Sequence, residues 1–578
     1  MEGSDRLSGV PRSFADSDGD GVGDLAGLAA RADYLADLGV DAVWLNPVYE
    51  SPMADNGYDV ADYRAIDDTF GTMADWRAVR DALHERDIRL VMDFVPNHTS
   101  DEHEWFRTSR RRGATADWYH WADGVDADAV AYDATDEGPA GEAPPNNWRS
   151  FFGGPAWAYD DEREQWYLHL FDPKQPDLDW SVPAVREAMY DELRYWLDEG
   201  IDGFRLDVVN LLSKPDGYPS GDPDEPFNGT LRAVPNGPRI HEYVAEMHDA
   251  VFADRDLLTV GECIGDTDVD DAARYVGADG DGLSMVFHFD HVGIGRGEAL
   301  WEREEWALTD LKAVFDRWQT GLEGRGWNSL YFNNHDQPRV VSRFGDDGEY
   351  RRESAACIAT LLHTLRGTPY VYQGEEAGDD EPDVRVARGV PRRGDGPDRP
   401  GGDRGRRHRL VRGGAGGLNA HSRDTSRTPM QWTGGPNAGF TDPDAEPWIR
   451  LHEDHREVNV EAQRTAPDSV WHYYRRLIDL REAHDVLVYG AYENHTPDDE
   501  RVWAYSRTLS GGDARDVDRD RAFVALNWSG EPARVDPPAA VAGADATLAL
   551  CNYPEAPSPG AVAPYEARPW EARVYLVE

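Results

Sequence analysis

The feature that most constrains this chain is a repeated order: a short apolar run, an amphipathic stretch, then another apolar run. The runs are 41–46 (DAVWLN), 89–95 (RLVMDFV), 203–208 (GFRLDV), 257–262 (LLTVGE), 283–289 (LSMVFHF), 329–334 (SLYFNN) and 368–373 (TPYVYQ). Each has the length of a strand buried on both faces. Between many of them lie helical patterns, as at 26–38, 73–85 and 185–198. Such alternation over roughly 400 residues predicts an α/β fold, the (β/α)8 TIM barrel. In a barrel the C-terminal strand ends meet around one axis, and here they carry the polar residues. The strand missing from this series is the first. Residues 1–13 (MEGSDRLSGVPRS) contain no strand-like run, and seven strands would leave an open edge.

The barrel is predicted over 1–98 and 181–486. Residues 99–180, rich in Trp, Asp and Gly, read as a subdomain inserted after strand 3. From 487 to 578 the pattern changes to short β runs (502–506, 522–526, 573–577) between Gly, Pro and Asp turns, the mark of a C-terminal antiparallel β-sandwich. Residues 382–419 fit none of this. They are basic, rich in Gly and Pro and nearly free of large apolar side chains, a composition that does not fold alone. An anion-binding loop and a disordered insert are alternatives. The preferred reading is an out-of-frame stretch of a GC-rich gene, because the acidic bias of the chain vanishes there.

That bias is strong. Asp plus Glu number 110 against 59 Lys plus Arg, a formal charge of −51. Nucleic acid and anionic membrane surfaces are therefore excluded as partners. Lysine is confined to Lys174, Lys214 and Lys312. An acidic, Lys-poor chain repels itself at low salt and is screened at molar salt, so it suits a salt-accumulating cytoplasm. Three widely spaced cysteines argue against a disulfide framework. No leader-like apolar stretch follows a basic start and no run of eighteen apolar residues exists, so a cytoplasmic, non-membrane protein is expected.

Three carboxylates stand at predicted strand ends: Asp207, Glu262 and Asp336. A structural role as cap or ion-pair partner explains one such residue. Three around one axis point to glycoside hydrolysis, which needs one carboxyl to attack and one to give a proton.

DFVPNHTS (93–100), GFRLDVVN (203–210), GEC (261–263) and FNNHDQPR (332–339) resemble, in order, the four short sequence regions of the α-amylase family, glycoside hydrolase family 13. QPDLDW (175–180) and SRDTSRTPMQW (422–432) are similar to its oligo-1,6-glucosidase branch. The resemblance implies a retaining, exo-acting α-glucosidase acting on short oligosaccharides. It makes Asp207 the nucleophile, Glu262 the acid/base and Asp336 the third carboxylate, with Arg205 keeping Asp207 ionised. It also implies that His98 and His335 donate to sugar hydroxyls and that Tyr58 offers a stacking face. Asp59 and Arg427 would hold the terminal hydroxyls, and Phe171 and Gln175 would line the same subsite. Val208, next to the nucleophile, looks like the α-1,6-cleaving members. A maltase, a sucrose-cleaving enzyme, a transglucosylase, a non-catalytic barrel protein and an inactive product of a damaged gene are the alternatives. Linkage and oligomeric state stay open.

The loop from Asp16 to Asp24 places acids at alternate positions, as loops around a hard cation do; Gly27 at position twelve rules out an EF-hand. The resemblance implies a structural Ca²⁺ held by Asp16, Asp18, Asp20, Asp24 and the Val22 carbonyl.

Overall fold

The computed structural model describes residues 6–130, 132, 138–265, 267–277, 281–296, 304–382, 423–509, 520–555 and 561–577. Apart from Pro382, the atypical segment 382–419 lies outside the described residues. The chain divides into two compact units. The first comprises Asp24–Asp290 and Arg317–Leu330 with the N-terminal stretch to Pro11; the second comprises Arg12–Gly23, His291–Asp316 and the chain from Tyr331 onward.

Eight strands form one sheet: β1 (Arg6–Gly9), β2 (Ala42–Leu45), β3 (Arg89–Phe94), β4 (Gly203–Leu206), β5 (Leu258–Glu262), β6 (Met285–Phe287), β7 (Ser329–Leu330) and β8 (Thr368–Tyr372). Their order is β6-β5-β4-β3-β2-β1-β8-β7, and a parallel bridge from Val286 to Asn328 joins the two ends. Chain order is thus ring order, the (β/α)8 barrel. The fold is the one the alternating runs predict.

The first strand corrects the sequence reading. Arg6–Gly9 pairs in parallel with β2, Arg6 to Ala42 through Gly9 to Leu45, and all four residues are buried. The strand is invisible to apolar pattern because Arg6 and Ser8 occupy two of its four positions. A barrel strand is held by ladder hydrogen bonds on both edges, and these do not depend on side-chain polarity. Polar side chains there still cost stability. The buried Ser8 hydroxyl has no hydrogen-bond partner, and leaving such a group unsatisfied costs about 1–3 kcal/mol. Ser8→Ala is expected to raise the urea midpoint by the equivalent of about 1 kcal/mol; a lowered midpoint would refute this.

The helices between the strands follow their sequence signals. Met73–His84 begins at a capping box, with Thr72 accepting from Asp75 N–H and Asp75 reaching back. Pro183–Asp198 begins with Pro at its first turn and buries Val185, Met189, Leu193 and Trp196 along one stripe. The 26–38 pattern is two helices, Leu25–Ala30 and Ala32–Leu38, which meet at Arg31. The stretch after β3 contains a three-stranded antiparallel sheet (Trp121–Ala122, Gln165–Leu168, Trp157–Asp160). Its Trp148, Trp157, Trp166 and Leu168 share a core with Val208 and Leu211, just beyond β4. In the second unit, Ala491–Asn494, Val502–Thr508, Arg521–Asn527, Ala572–Val577 and Ala546–Cys551 form a five-stranded antiparallel sheet in that order. All three cysteines are free thiols. Among the described residues no helix is long and apolar enough to cross a membrane.

Candidate active site

The first unit assembles its charges around one guanidinium. Parallel register sets Arg205 of β4 opposite Asp93 of β3 and Val260 of β5. Two residues on, Asp207 leaves the strand on the same face as Arg205. Arg205 Nη1 donates to Asp93 Oδ1 at 3.0 Å and to Asp207 Oδ1 at 2.6 Å, and Nη2 lies 2.7 Å from Glu262 Oε2. Arg205 is 1% exposed. Trp44 and Tyr58 lie beneath it, 5.0 and 5.8 Å from ring centre to guanidinium carbon, where cation–π attraction operates.

Three carboxylates facing one cation in a dry site repel one another and make ionising the last of them costly. Burial pushes Asp207 well above the usual carboxylate range; Arg205 opposes this, while Glu262 and Asp93 add to it. Arg205 itself is held cationic. Burial works against its charge, but Asp93, Glu262, Tyr58 and Asp207 outweigh that.

Val208 has φ 36° and ψ 45°. Left-handed backbone is unusual for any side chain and costly for a β-branched one, and such strain gathers at functional sites. Here it turns the chain off β4 so that Val208 N–H reaches Glu262 Oε2 at 3.2 Å. The acid is thereby gripped by the residue after the proposed nucleophile. Packing of Val208 into the insert's core holds the turn in place.

A second cluster in the same unit surrounds His98. Its Nε2 lies 3.1 Å from Gln175 Nε2, its Nδ1 lies 3.2 Å from Asn97 Nδ2, and Phe171 packs 5.1 Å from its ring. Burial pushes His98 down to about 3, and the nearby Lys214 charge adds to the effect, so the ring is neutral at working pH. Gln175 also donates to Asp55 Oδ2 at 3.2 Å. Behind them, buried Lys214 donates to Asn97 Oδ1 at 2.7 Å and Leu211 O at 2.6 Å, and pairs with Asp177 at 3.2 Å. One ammonium thus ties the segments after β3, after β4 and at the end of the insert.

Two further first-unit residues are held by protein partners. Tyr58 is buried to the same degree as Asp207 and Glu262, and its hydroxyl donates to Asp93 Oδ2 at 2.8 Å. Asp59 is fully buried and accepts from Ala54 N at 2.8 Å and Asp55 N at 2.9 Å, so the loop backbone already engages both its oxygens. Burial pushes its pKa up against those hydrogen bonds.

The second unit carries the other carboxylate. Asp336 Oδ1 accepts from Arg427 Nη2 at 2.6 Å and from Arg423 Nε at 2.5 Å, and Oδ2 lies 3.2 Å from His335 Nε2. Burial alone would raise the Asp336 pKa; Arg423, His335 and Arg427 prevail and hold it well below the usual range. Arg427 is anchored by His335 O at 2.9 Å, and Ser13 Oγ donates to its carbonyl at 2.6 Å.

The acidic loop is closed by its own backbone. The Asp16 carboxylate accepts from Asp18, Gly19 and Gly21 N–H and from the Thr441 hydroxyl; Asp18 accepts from Asp20 N–H, and Asp20 from Val22 N–H. Burial raises the Asp16 pKa, but those bonds outweigh it and leave the group lowered. Gly21 sits at φ 93°, and a Cβ there would lie 2.0 Å from Glu446 O, so the tight loop demands glycine. Asp24 caps Leu25–Ala30 through Gly27 N–H at 2.6 Å.

Sequence reasoning missed Asp93, Lys214 and Asp177. Asp93 lies inside a quoted motif, and its signal was a carboxylate within an otherwise apolar strand.

A buried carboxylate pair on one guanidinium, at the C-terminal ends of adjacent barrel strands, defines a glycoside hydrolase site on a (β/α)8 scaffold. Residues 10–490 match the family model "Alpha amylase, catalytic domain". The chain is 43% identical over 588 residues to oligo-1,6-glucosidase from Halalkalibacterium halodurans, covering 98% of this chain and 97% of that one. It is 43% identical over 514 residues to trehalose-6-phosphate hydrolase from Escherichia coli, covering 87% of each. The fold superposes on trehalose-6-phosphate hydrolase from Bacillus licheniformis with a TM-score of 0.86 at 37% identity, covering 100% of this chain and 99% of that one. Isomaltulose synthase from Klebsiella sp. LX3 also gives 0.86, at 35% identity with the same coverage. The chain belongs to the α-amylase family of glycoside hydrolases.

Proposed function

We propose that this chain is a retaining, exo-acting α-glucosidase that releases glucose from the non-reducing end of short α-glucosides, with α-1,6 links preferred. The observation that carries the reading is Arg205, which holds Asp207 on one terminal nitrogen and Glu262 on the other. Asp207 attacks the anomeric carbon while Glu262 gives a proton to the leaving oxygen. Glu262 then takes a proton from water, and the water oxygen displaces Asp207. Arg205 reaches Asp207 and Glu262 alike, and Glu262 also accepts the Val208 N–H, so the two roles are proposed from the family motifs that carry these residues. His98, Gln175 and Phe171 of the first unit form a wall for the terminal glucose, and the roles of Asp336, His335 and Arg427 as hydroxyl-binding groups rest on the family motifs that carry them. Val208 supports the α-1,6 preference, because an apolar branched side chain follows the nucleophile.

Two accessory proposals accompany this one. The Asp16–Asp24 loop fits a Ca²⁺ ion: its acids alternate on a glycine-closed turn, and Asp16, Asp18, Asp20, Asp24 and the Val22 carbonyl would hold the ion. Bound there, it would supply charge neutralisation to the loop and no step of the reaction. The charge of −51 supports work in a salt-accumulating cytoplasm. So does the lysine distribution: Lys214 and Lys312 are buried, which leaves Lys174 as the exposed one.

The test is glucose release from p-nitrophenyl α-glucoside, isomaltose, maltose, sucrose and trehalose 6-phosphate in molar KCl. Isomaltose is expected to be cleaved faster than maltose. Turnover of maltose alone would remove the α-1,6 preference, and turnover of trehalose 6-phosphate alone would replace the proposal.

A further inference from the structure

Three consecutive acids follow β8, and each is fastened at a different place in the second unit. Asp379 Oδ1 accepts from Gln431 Nε2 at 2.6 Å, and Glu381 Oε1 accepts from the Thr425 hydroxyl at 3.0 Å. Thr425 and Gln431 flank Arg427, which donates to Asp336. The acid between them, Asp380, is held by a histidine far along the chain: its Oδ1 lies 2.8 Å from His452 Nε2. The other ring nitrogen, Nδ1, faces Asp454 Oδ1 at 2.5 Å and the Asp454 N–H at 3.1 Å. The carboxylate is the nearer of the two and carries the charge, so a proton belongs on Nδ1. His452 is thus an imidazolium between two aspartates, and it is 8% exposed. Burial works against that charge, but Asp380 and Asp454 outweigh it and draw the ring up to about 10. Two arginines face the same acids: Arg351 lies 3.7 Å from Asp454, and Arg339 lies 3.5 Å from Asp379.

We infer that His452 is a positioning residue for sugar binding: it clamps Asp380, and so keeps residues 379–381 where the two outer acids hold the segment that carries Arg427. The inference rests on the α-glucosidase reading, since that reading gives Asp336 and Arg427 a sugar to bind. Without the imidazolium, Asp380 and Asp454 lose the charge between them, and removing one partner of a buried ion pair leaves the other uncompensated. The stretch then relaxes away from its place, and Thr425 and Gln431 move with it. A buried clamp also suits molar salt, because screening acts chiefly on exposed charges.

The experiment compares native protein, His452→Gln and the double variant His452→Gln/Asp380→Asn in molar KCl, under conditions where circular dichroism shows all three folded. KM and kcat for p-nitrophenyl α-glucoside are measured from pH 6.5, the ring's ordinary pKa, to above 10. His452→Gln is expected to raise KM by about 2- to 30-fold, the range reached by residues that touch neither ligand, with kcat changed less. The native KM should stay level until pH nears 10 and then rise to that of the variant, because the folded ring gives up its proton only there. The double variant removes the carboxylate left unpaired, so its KM should return toward the native value. An unchanged KM in His452→Gln, a fall in kcat alone, or a KM gap that persists above pH 10 would overturn the inference. So would an EDTA effect on KM present in the native protein and absent from His452→Gln, since a metal rather than a proton would then join the three side chains. Thermal unfolding adds a check with a different pH window. The ring's pKa is 6.5 in the unfolded chain and about 10 in the folded one, so the native advantage in Tm over His452→Gln is full below 6.5 and shrinks as pH climbs to 10. An advantage that stays constant would remove the imidazolium. If the native chain cleaves no α-glucoside, the functional reading fails. The inference is then read from glucose binding by calorimetry, where His452→Gln should weaken Kd by the same factor, and an unchanged or undetectable Kd sinks it.

Discussion

Asp207→Asn is expected to abolish turnover of every α-glucoside, by about 10⁴-fold or more, as loss of a covalent nucleophile does. Glu262→Gln should behave differently. With p-nitrophenyl α-glucoside the leaving group departs as an anion and needs no proton, so the first step survives. The second step needs a base for water, and without it the glucosyl-enzyme accumulates after an initial burst. With isomaltose, whose leaving alkoxide must be protonated, both steps fail, and a loss of about 10²–10⁴-fold is expected from missing acid–base assistance.

Azide separates the two roles, because it is a nucleophile that needs no deprotonation. In Glu262→Gln it attacks the glucosyl-enzyme and gives α-glucosyl azide, with Asp207 as the leaving group. In Asp207→Asn it enters the space vacated by the nucleophile and gives β-glucosyl azide. The anomeric configuration, read by proton NMR, assigns each residue. The β product from Glu262→Gln, or the α product from Asp207→Asn, would reverse the assignment. The same azide product from both variants would show that neither residue is the nucleophile.

Asp207, Glu262 and Arg205 could be read from the sequence because each stands on a strand whose apolar run ends at a recognisable place. Asp207 and Arg205 also lie two residues apart, which puts them on one face whatever surrounds them. Asp93 could not be ranked that way. Its importance comes from parallel register with Arg205 and from Tyr58 and Trp44 on its other oxygen, and these four residues come from separate segments. Lys214 has the same character, since its partners Asn97 and Asp177 lie 117 and 37 positions away. The first strand was missed for another reason. Pattern reading weighs side chains, while Arg6–Gly9 is held through its backbone. Val208 marks a further limit: a β-branched residue is the last type that propensity would place at positive φ, and only tertiary packing pins it there.

Replacing Arg205 tests how far this site depends on its one cation. Arg205→Met removes the charge from a pocket holding Asp93, Asp207 and Glu262, and breaking a buried pair from one side costs about 3–5 kcal/mol. The loss should depend on pH with a definite sign. Burial already raises Asp207, and Arg205 is what pulls it back down. A carboxyl raised in the folded state keeps its proton there while the unfolded chain, with a pKa of about 3.9, gives it up. The folded state then loses ground as pH climbs above that value. Arg205→Met deepens the effect, so its deficit against the native protein should be largest at neutral pH and shrink toward about pH 4. Urea midpoints for both proteins across this range provide the measurement; a deficit that stays constant or grows on acidification would contradict the argument. Arg205→Lys keeps a charge but offers one ammonium where two nitrogens now serve three carboxylates. It should recover part of the stability and little of the activity, because the second carboxylate would be left to find its own position.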